Sequence, residues 1–194
     1  MTDFESFPKI PRWSRSIVVT EKIDGTNAQI YISSDPNEPI RAGSRNRWIT
    51  PEDDNYGFAS WVNHNGSYLR RLGPGRHFGE WWGSGIQRGY GLTKGEKRFS
   101  LFNVGRWTKA LGTPPLSLAD KQQLAPACCH IVPTLYAGPM DQAVINGRLA
   151  VLNVNGSAAA PGFMKPEGII IYHTAANVYY KKTLEKDDAG KWEK

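Results

Sequence analysis

At 194 residues, with 40% hydrophobic and 11% aromatic side chains, the chain is long enough to bury the core of one folded domain, which argues against disorder. Its formal charge of +6 is uneven: residues 70–109 carry nine Lys and Arg against Glu80 and Glu96, so the remainder is near neutral. No apolar run approaches the roughly 20 residues that span a bilayer, and the first six residues lack the basic and apolar regions of a signal peptide. No membrane contact and a cytoplasmic location are therefore expected.

In chain order, residues 16–20 are β-branched and apolar, and residues 27–33 alternate Ala28, Ile30 and Ile32 with Gln29, Tyr31 and Ser33, which predicts two strands around the turn Ile23-Asp24-Gly25. Residues 40–44 follow a Pro- and Asn-rich loop and are expected to add a third strand to the same small antiparallel sheet. Residues 56–61 carry a helical pattern that ends near His64-Asn65-Gly66, and residues 69–72 add a turn before Gly73-Pro74-Gly75. Residues 77–82 and 99–104 read as strands around the glycine-rich stretch 83–95. That stretch has Gly-x-Gly pairs but neither a P-loop nor a complete Gly-x-Gly-x-x-Gly. Further on, 131–136 predicts a strand and 141–152 an amphipathic helix with Ala143, Val144, Leu149 and Val151 on one face. The strands 167–172 and 177–184 close the pattern around Thr174-Ala175-Ala176. No repeat or linker divides the chain, so residues 1–194 are expected to form a single domain.

The basic stretch is interleaved with Trp81, Trp82, Tyr90, Phe99 and Trp107, as a phosphate-backbone binder with stacking side chains would be. A solvated basic face around core aromatics would give the same composition. The adjacent Cys128 and Cys129 suit neither an unstrained disulfide nor zinc and are expected to be buried small side chains. His64, His77, His130 and His173 are scattered without metal-ligand spacing. No Gly-x-Ser-x-Gly elbow supports a hydrolase.

The sharpest local feature is Glu21-Lys22-Ile23-Asp24-Gly25-Thr26-Asn27, a lysine at a strand end beside a tight turn. A lysine amine is a nucleophile when its neighbours hold it deprotonated and aimed, and nucleotidyl transfer needs chiefly positioning and charge neutralisation around it. Taken alone, the same residues would suit a polar hairpin with a surface lysine. Further elements follow in order: Ser44-Arg45-Asn46, Phe78-Gly79-Glu80-Trp81-Trp82-Gly83, Leu101-Phe102-Asn103-Val104, Pro166-Glu167-Gly168-Ile169-Ile170-Ile171 and Tyr180-Lys181-Lys182. With them the whole chain resembles the nucleotidyltransferase domain of ATP-dependent nucleic-acid ligases, in particular the RNA ligase branch.

The resemblance implies an α+β fold, in which antiparallel sheets flanked by helices form a nucleotide cleft of ATP-grasp-like character. It implies Lys22 as the residue that takes AMP from ATP, and Lys181 as the catalytic cation on the α-phosphate, with Lys182 beside it. Glu80 would bind the ribose, Phe102 would stack on the purine, and Arg45 would approach ribose and nucleic-acid phosphate. Glu21 and Asn27, which flank the motif, join the nucleotide set, Glu21 toward the adenine amino group. Glu167 would serve Mg2+ or Mn2+, hard cations that take carboxylates together with phosphates. The implied partner is nucleic acid, RNA before DNA.

Two departures from the family pattern stand out. Many relatives carry Lys-x-Lys in the last motif, whereas here Lys181 and Lys182 are adjacent and Thr183 follows. Neighbouring strand residues face opposite sides, so one of the pair is expected in the site, and Lys181 is the expected one. Second, only a short stretch follows Lys182, where ligases and capping enzymes commonly continue into an OB-fold or helical domain. No appended OB-fold is expected, and sealing is expected to be slow, template-limited or dependent on an accessory protein for nucleic-acid grip. The competing readings are a DNA ligase, a capping guanylyltransferase, which would prefer GTP, and a non-catalytic nucleic-acid-binding domain, whose binding would survive Lys22→Ala.

Overall fold

In the computed structural model, residues 3–110, 121–185 and 187 are described. Two sheets carry the fold. The first has strand order β10-β1-β11-β12, built from β10 (Thr134–Pro139), β1 (Ser16–Lys22), β11 (Gly168–His173) and β12 (Val178–Thr183), all antiparallel. The second has order β4-β3-β2-β5-β6-β9, from β4 (Trp48–Ile49), β3 (Arg41–Gly43), β2 (Thr26–Ile32), β5 (Gly75–Gly83), β6 (Lys97–Leu101) and β9 (His130–Ile131). Only the β6–β9 pair in it is parallel. A two-stranded ribbon, β7 (Thr108–Ala110) and β8 (Lys121–Gln123), completes the described strands. The expected α+β class with antiparallel sheets and few helices is therefore found.

The alternation in β1 explains the first core. Ile17 and Val19 pack with Ile169 and Ile171 of β11 against Ile145 and Leu152 of α4 (Gln142–Asn155), a helix capped by the Asp141 carboxylate on the amides of Ala143 and Val144. Each fully buried aliphatic side chain in such a layer contributes roughly 1.5–3 kcal/mol. The stripe that α4 buries is Ile145, Leu149 and Leu152, at helical spacing, while Val151, expected on that face, is exposed. The second core lies on one face of the larger sheet. There Ala28, Ile30, Ile32, Trp81, Phe99 and Leu101 meet α1 (Phe58–His64), α2 (Gly66–Leu69) and the 3-10 turn Arg70–Leu72.

Three expectations need correction. β1 does not share a sheet with β2 and β3, because the chain leaves β1 at Lys22 and crosses to the other sheet through Ile23-Asp24-Gly25. The strand expected over 131–136 is two strands in different sheets: Pro133 has no amide to donate, and the chain changes sheets there between β9 and β10. The strand expected over 99–104 also ends early, at Leu101, where Asn103 caps the short helix α3 (Val104–Trp107). Among the described residues no helix is long and apolar enough to cross a membrane.

Candidate nucleotidyl-transfer site

The crossing from β1 to β2 is held on three sides. Ile23 is buried with Trp82, Tyr90 and Val132. The Asp24 amide donates to the Tyr90 hydroxyl at 2.9 Å, and the Asp24 carboxylate accepts from Arg88 Nε at 3.0 Å. The same guanidinium donates to the Lys165 carbonyl at 3.2 Å and to the Glu185 carboxylate at 3.3 Å. Gly25 donates its amide to Glu80 Oε1 at 3.1 Å. A Cβ at Gly25 would lie 2.5 Å from the Trp81 carbonyl oxygen and 2.7 Å from Trp82 Cβ, so only glycine lets the two strands approach this closely.

Lys22 thereby sits at the end of β1, where its Nζ donates to Glu167 Oε2 at 2.5 Å, with both side chains about one-fifth exposed. Glu80 faces it from the other sheet. Its carboxylate is buried and accepts from Asn27 Nδ2 at 2.9 Å as well as from Gly25. Burial pushes the Glu80 carboxyl up to about 7; the Asn27 bond, the Lys22 charge and the Gly25 amide oppose that, and the Glu167 charge adds to it. Near neutral pH this group therefore exchanges between an acid that donates a hydrogen bond and a carboxylate that accepts one, both of which suit a sugar hydroxyl.

The register settles which of the adjacent lysines faces Lys22. Lys22 lies opposite Gly168 and Thr183, and the next outward row on that face is Thr20, Ile170 and Lys181. Lys182 lies opposite Ile169, a residue of the α4 core, and so takes the reverse face, where its Nζ is 3.9 Å from Asp187. Lys181 thus shares the sheet face of Lys22, and Lys182 does not.

Glu21 likewise turns to the α4 side. It is buried, accepts from the Ser157 hydroxyl at 2.6 Å and from the amides of Ala158 and Ala159 at 2.9 Å each, and fastens the loop after α4 to β1. Burial raises its pKa against those three hydrogen bonds. Its carboxylate is engaged by the protein's own loop.

Phe102 is exposed just beyond β6, with its amide on the Phe78 carbonyl at 3.0 Å, one row along the sheet from Glu80. Arg45 is exposed at the tip of the β3–β4 hairpin, which Ser44 and Arg47 close through a 2.8 Å backbone bond. Gly43 lies opposite Gln29, so the tip points toward the level of Asn27. Lys22, Asn27, Glu80 and Glu167 therefore form the centre, Lys181, Phe102 and Arg45 the margin, and Glu21 and Lys182 lie outside.

Three residues in and around the site escape sequence reasoning. Tyr90 reads as one aromatic in a glycine-rich loop, yet it is buried between Trp82 and Phe163 with its hydroxyl on Asp24. Its positive φ, 51°, is the strained turn that brings it there. Arg88 counts as one of nine cations in the basic stretch, and its carboxylate partners are 64 and 97 residues away. Ser157 sits in a run of small residues with no local signal. Among the described residues, no three His, Cys, Asp or Glu side chains gather into a metal cage.

The family model for RNA ligase matches residues 15–192, and the chain belongs to the RNA ligase family. Among solved structures, an apo form of a Naegleria gruberi RNA ligase mutant aligns at 19% identity with a TM-score of 0.58, over 88% of this chain and 50% of that one. A mutant of that ligase with ATP and Mn aligns at 17% identity, TM-score 0.58, over 89% of this chain and 51% of the other. Another with AMP and Mn gives 18%, 0.57, 88% and 50%. At this identity the likeness establishes the fold, and the chain spans about half the length of these ligases. No curated protein sequence matches.

Proposed function

We propose that the protein is an ATP-dependent RNA ligase that works through a lysyl-AMP intermediate at Lys22. In the first step the Lys22 amine, having lost a proton, attacks the α-phosphorus of ATP; the bond to the bridging oxygen breaks and pyrophosphate leaves. A 5'-phosphate oxygen then takes the AMP from nitrogen, and a 3'-hydroxyl attacks that activated phosphate and releases AMP. The observation that carries this reading is the meeting, at one strand end, of Lys22 with Glu167, Glu80 and Asn27 from three other segments of the chain.

The ligases it resembles in fold are described with ATP or AMP and Mn, and the donor set here suits such a cation. A lone carboxylate, Glu167, fits Mg2+ or Mn2+ held jointly with substrate phosphates rather than in an all-protein cage, and such a cation would neutralise charge on the α-phosphate. Lys181, on the same sheet face as Lys22, adds fixed positive charge beside the developing pyrophosphate. Glu80 and Asn27 orient the sugar, and Phe102 supplies an exposed ring for the purine.

The deciding experiment incubates the protein with ATP labelled at the α-phosphate and Mg2+ or Mn2+, then denatures it. Label should remain on the wild-type chain and be absent from Lys22→Ala. Label that persists in Lys22→Ala, or a wild-type chain that binds RNA and never takes label with either metal, refutes the assignment.

A further inference from the structure

The larger sheet has one face covered by α1 and α2; on the other, Glu80, Trp82 and Ser100 are buried, Trp82 beneath Ile23, Tyr90 and Val132, while among the described residues the part beyond Glu80 and Asn27 is left open. On that open face, register aligns two rows beyond Glu80 and Asn27. The nearer row runs Trp48, Gly43, Gln29, Phe78 and Phe102, and the farther one Arg41, Tyr31 and Arg76. From β4 to the end of β6 this spans five strands, roughly 19 Å at ordinary strand spacing.

A face turned to solvent would ordinarily be polar, but this one presents aromatic rings and arginines. Phe78 is 52% exposed and Phe102 39%, and Arg41 and Arg76 are also exposed. The guanidinium of Arg41 lies 4.1 Å over the Trp48 ring, and that of Arg76 lies 5.2 Å from Trp48 and 5.4 Å from Tyr31. Such contacts recur about once per 70–80 residues in proteins, whereas here three fall among four side chains. Arg76 also donates to Gln29 Oε1 at 3.0 Å, which leaves its charge unneutralised. Arg47, by contrast, lies at the hairpin end and is paired with Asp53.

We propose that this face is a track for a single-stranded polynucleotide whose end reaches the Lys22 site. Unpaired bases stack on Trp48, Tyr31 and Phe78, and Arg41 and Arg76 take backbone phosphates. That is the combination of rings and cations that holds single strands without reading their sequence. A duplex, whose bases are already stacked, gains nothing from the rings. The inference deepens the ligase reading, since it says which strand geometry the enzyme grips.

The test is fluorescence anisotropy of a labelled short single-stranded RNA over a salt series, with melting curves for each variant. Arg41→Ala combined with Arg76→Ala should reduce the slope of log affinity against log salt by about 1.4, from about 0.7 per lost phosphate contact on a single strand. Trp48→Ala should weaken binding about fivefold or more at fixed salt, and Trp48→Phe, which keeps a ring, should restore most of it. Unchanged affinity and slope in the double arginine variant, or a blunt duplex of the same sequence that competes as well as the single strand, overturns the track. The lysyl-AMP label, read on the same preparations, separates the two readings. A wild-type chain that never takes label but loses single-strand binding in these variants refutes the ligase chemistry and leaves the track standing.

Discussion

Two short connections carry residues of the site, and they are built in opposite ways. The turn from Lys22 to Thr26 is half-buried around Ile23, tied by Tyr90, Arg88 and Glu80, and admits no side chain at Gly25. The β3–β4 hairpin that carries Arg45 is exposed at its tip and held by its own Ser44–Arg47 bonds and the exposed Arg47–Asp53 pair. The difference matches the work proposed for each residue. A nucleophile that must meet a phosphorus in line has to be preorganised, because small misplacements cost orders of magnitude in rate. A cation that meets a flexible strand needs only reach and charge.

The contrast can be broken most severely at Gly25. Gly25→Ala should destabilise the protein by on the order of 3 kcal/mol, since the new Cβ meets backbone and β5 cannot move away without disturbing its neighbours. Urea denaturation measures this, and a loss below about 1 kcal/mol would mean that the two sheets yield at the turn.

Next in size is Glu80→Gln. The wild-type carboxyl, raised to about 7 from an ordinary 4.5, binds its proton more tightly in the folded state. Its contribution is fully present below pH 4.5 and lost as pH rises toward and past 7. A glutamine loses nothing over that range, and Asn27 can flip to accept from its amide. The variant should match wild type near pH 4.5 and exceed it by on the order of 2 kcal/mol at pH 8, while lysyl-AMP formation falls. Melting temperature across pH shows whether the gap opens in that window.

The smallest effect is expected at the hairpin. Arg45→Ala should leave stability within about 0.5 kcal/mol and lower the rate of sealing of a nicked or broken strand, which a time course on preformed enzyme-AMP would read. An equally large loss of folding stability would remove the distinction between the two connections.

What was legible in the sequence follows the same division. Strand and helix positions were readable where alternation or helical spacing is local, as in 27–33 and around α4. Sheet membership was not, because nothing within residues 16–33 reveals that β1 and β2 part company at the turn. Pro133 held the clue to the split of 131–136, since it cannot donate to a ladder. That Lys181 and Lys182 take opposite faces was legible because strand alternation is a local rule, whereas the partners of Glu21 could not be placed without knowing that Ser157 and its neighbours stand above it. The basic stretch 70–109 promised one charged surface. In the fold Arg88, Arg98 and Arg106 turn instead to Asp24 and Glu185, to Glu96, and to the Leu72 carbonyl. Charge counted along a chain does not say what each charge faces.

The Arg88 knot also bears on how the molecule comes to be. It joins residue 88 to partners 64, 77 and 97 positions away, and Lys22 meets Glu167 across 145. Contacts this distant close late and slowly, and during synthesis β1 leaves the ribosome long before the residues that hold its last lysine exist. A growing chain therefore carries Lys22 without its carboxylate partner, and its amine is held only once Glu167 and β11 have been made and docked beside β1.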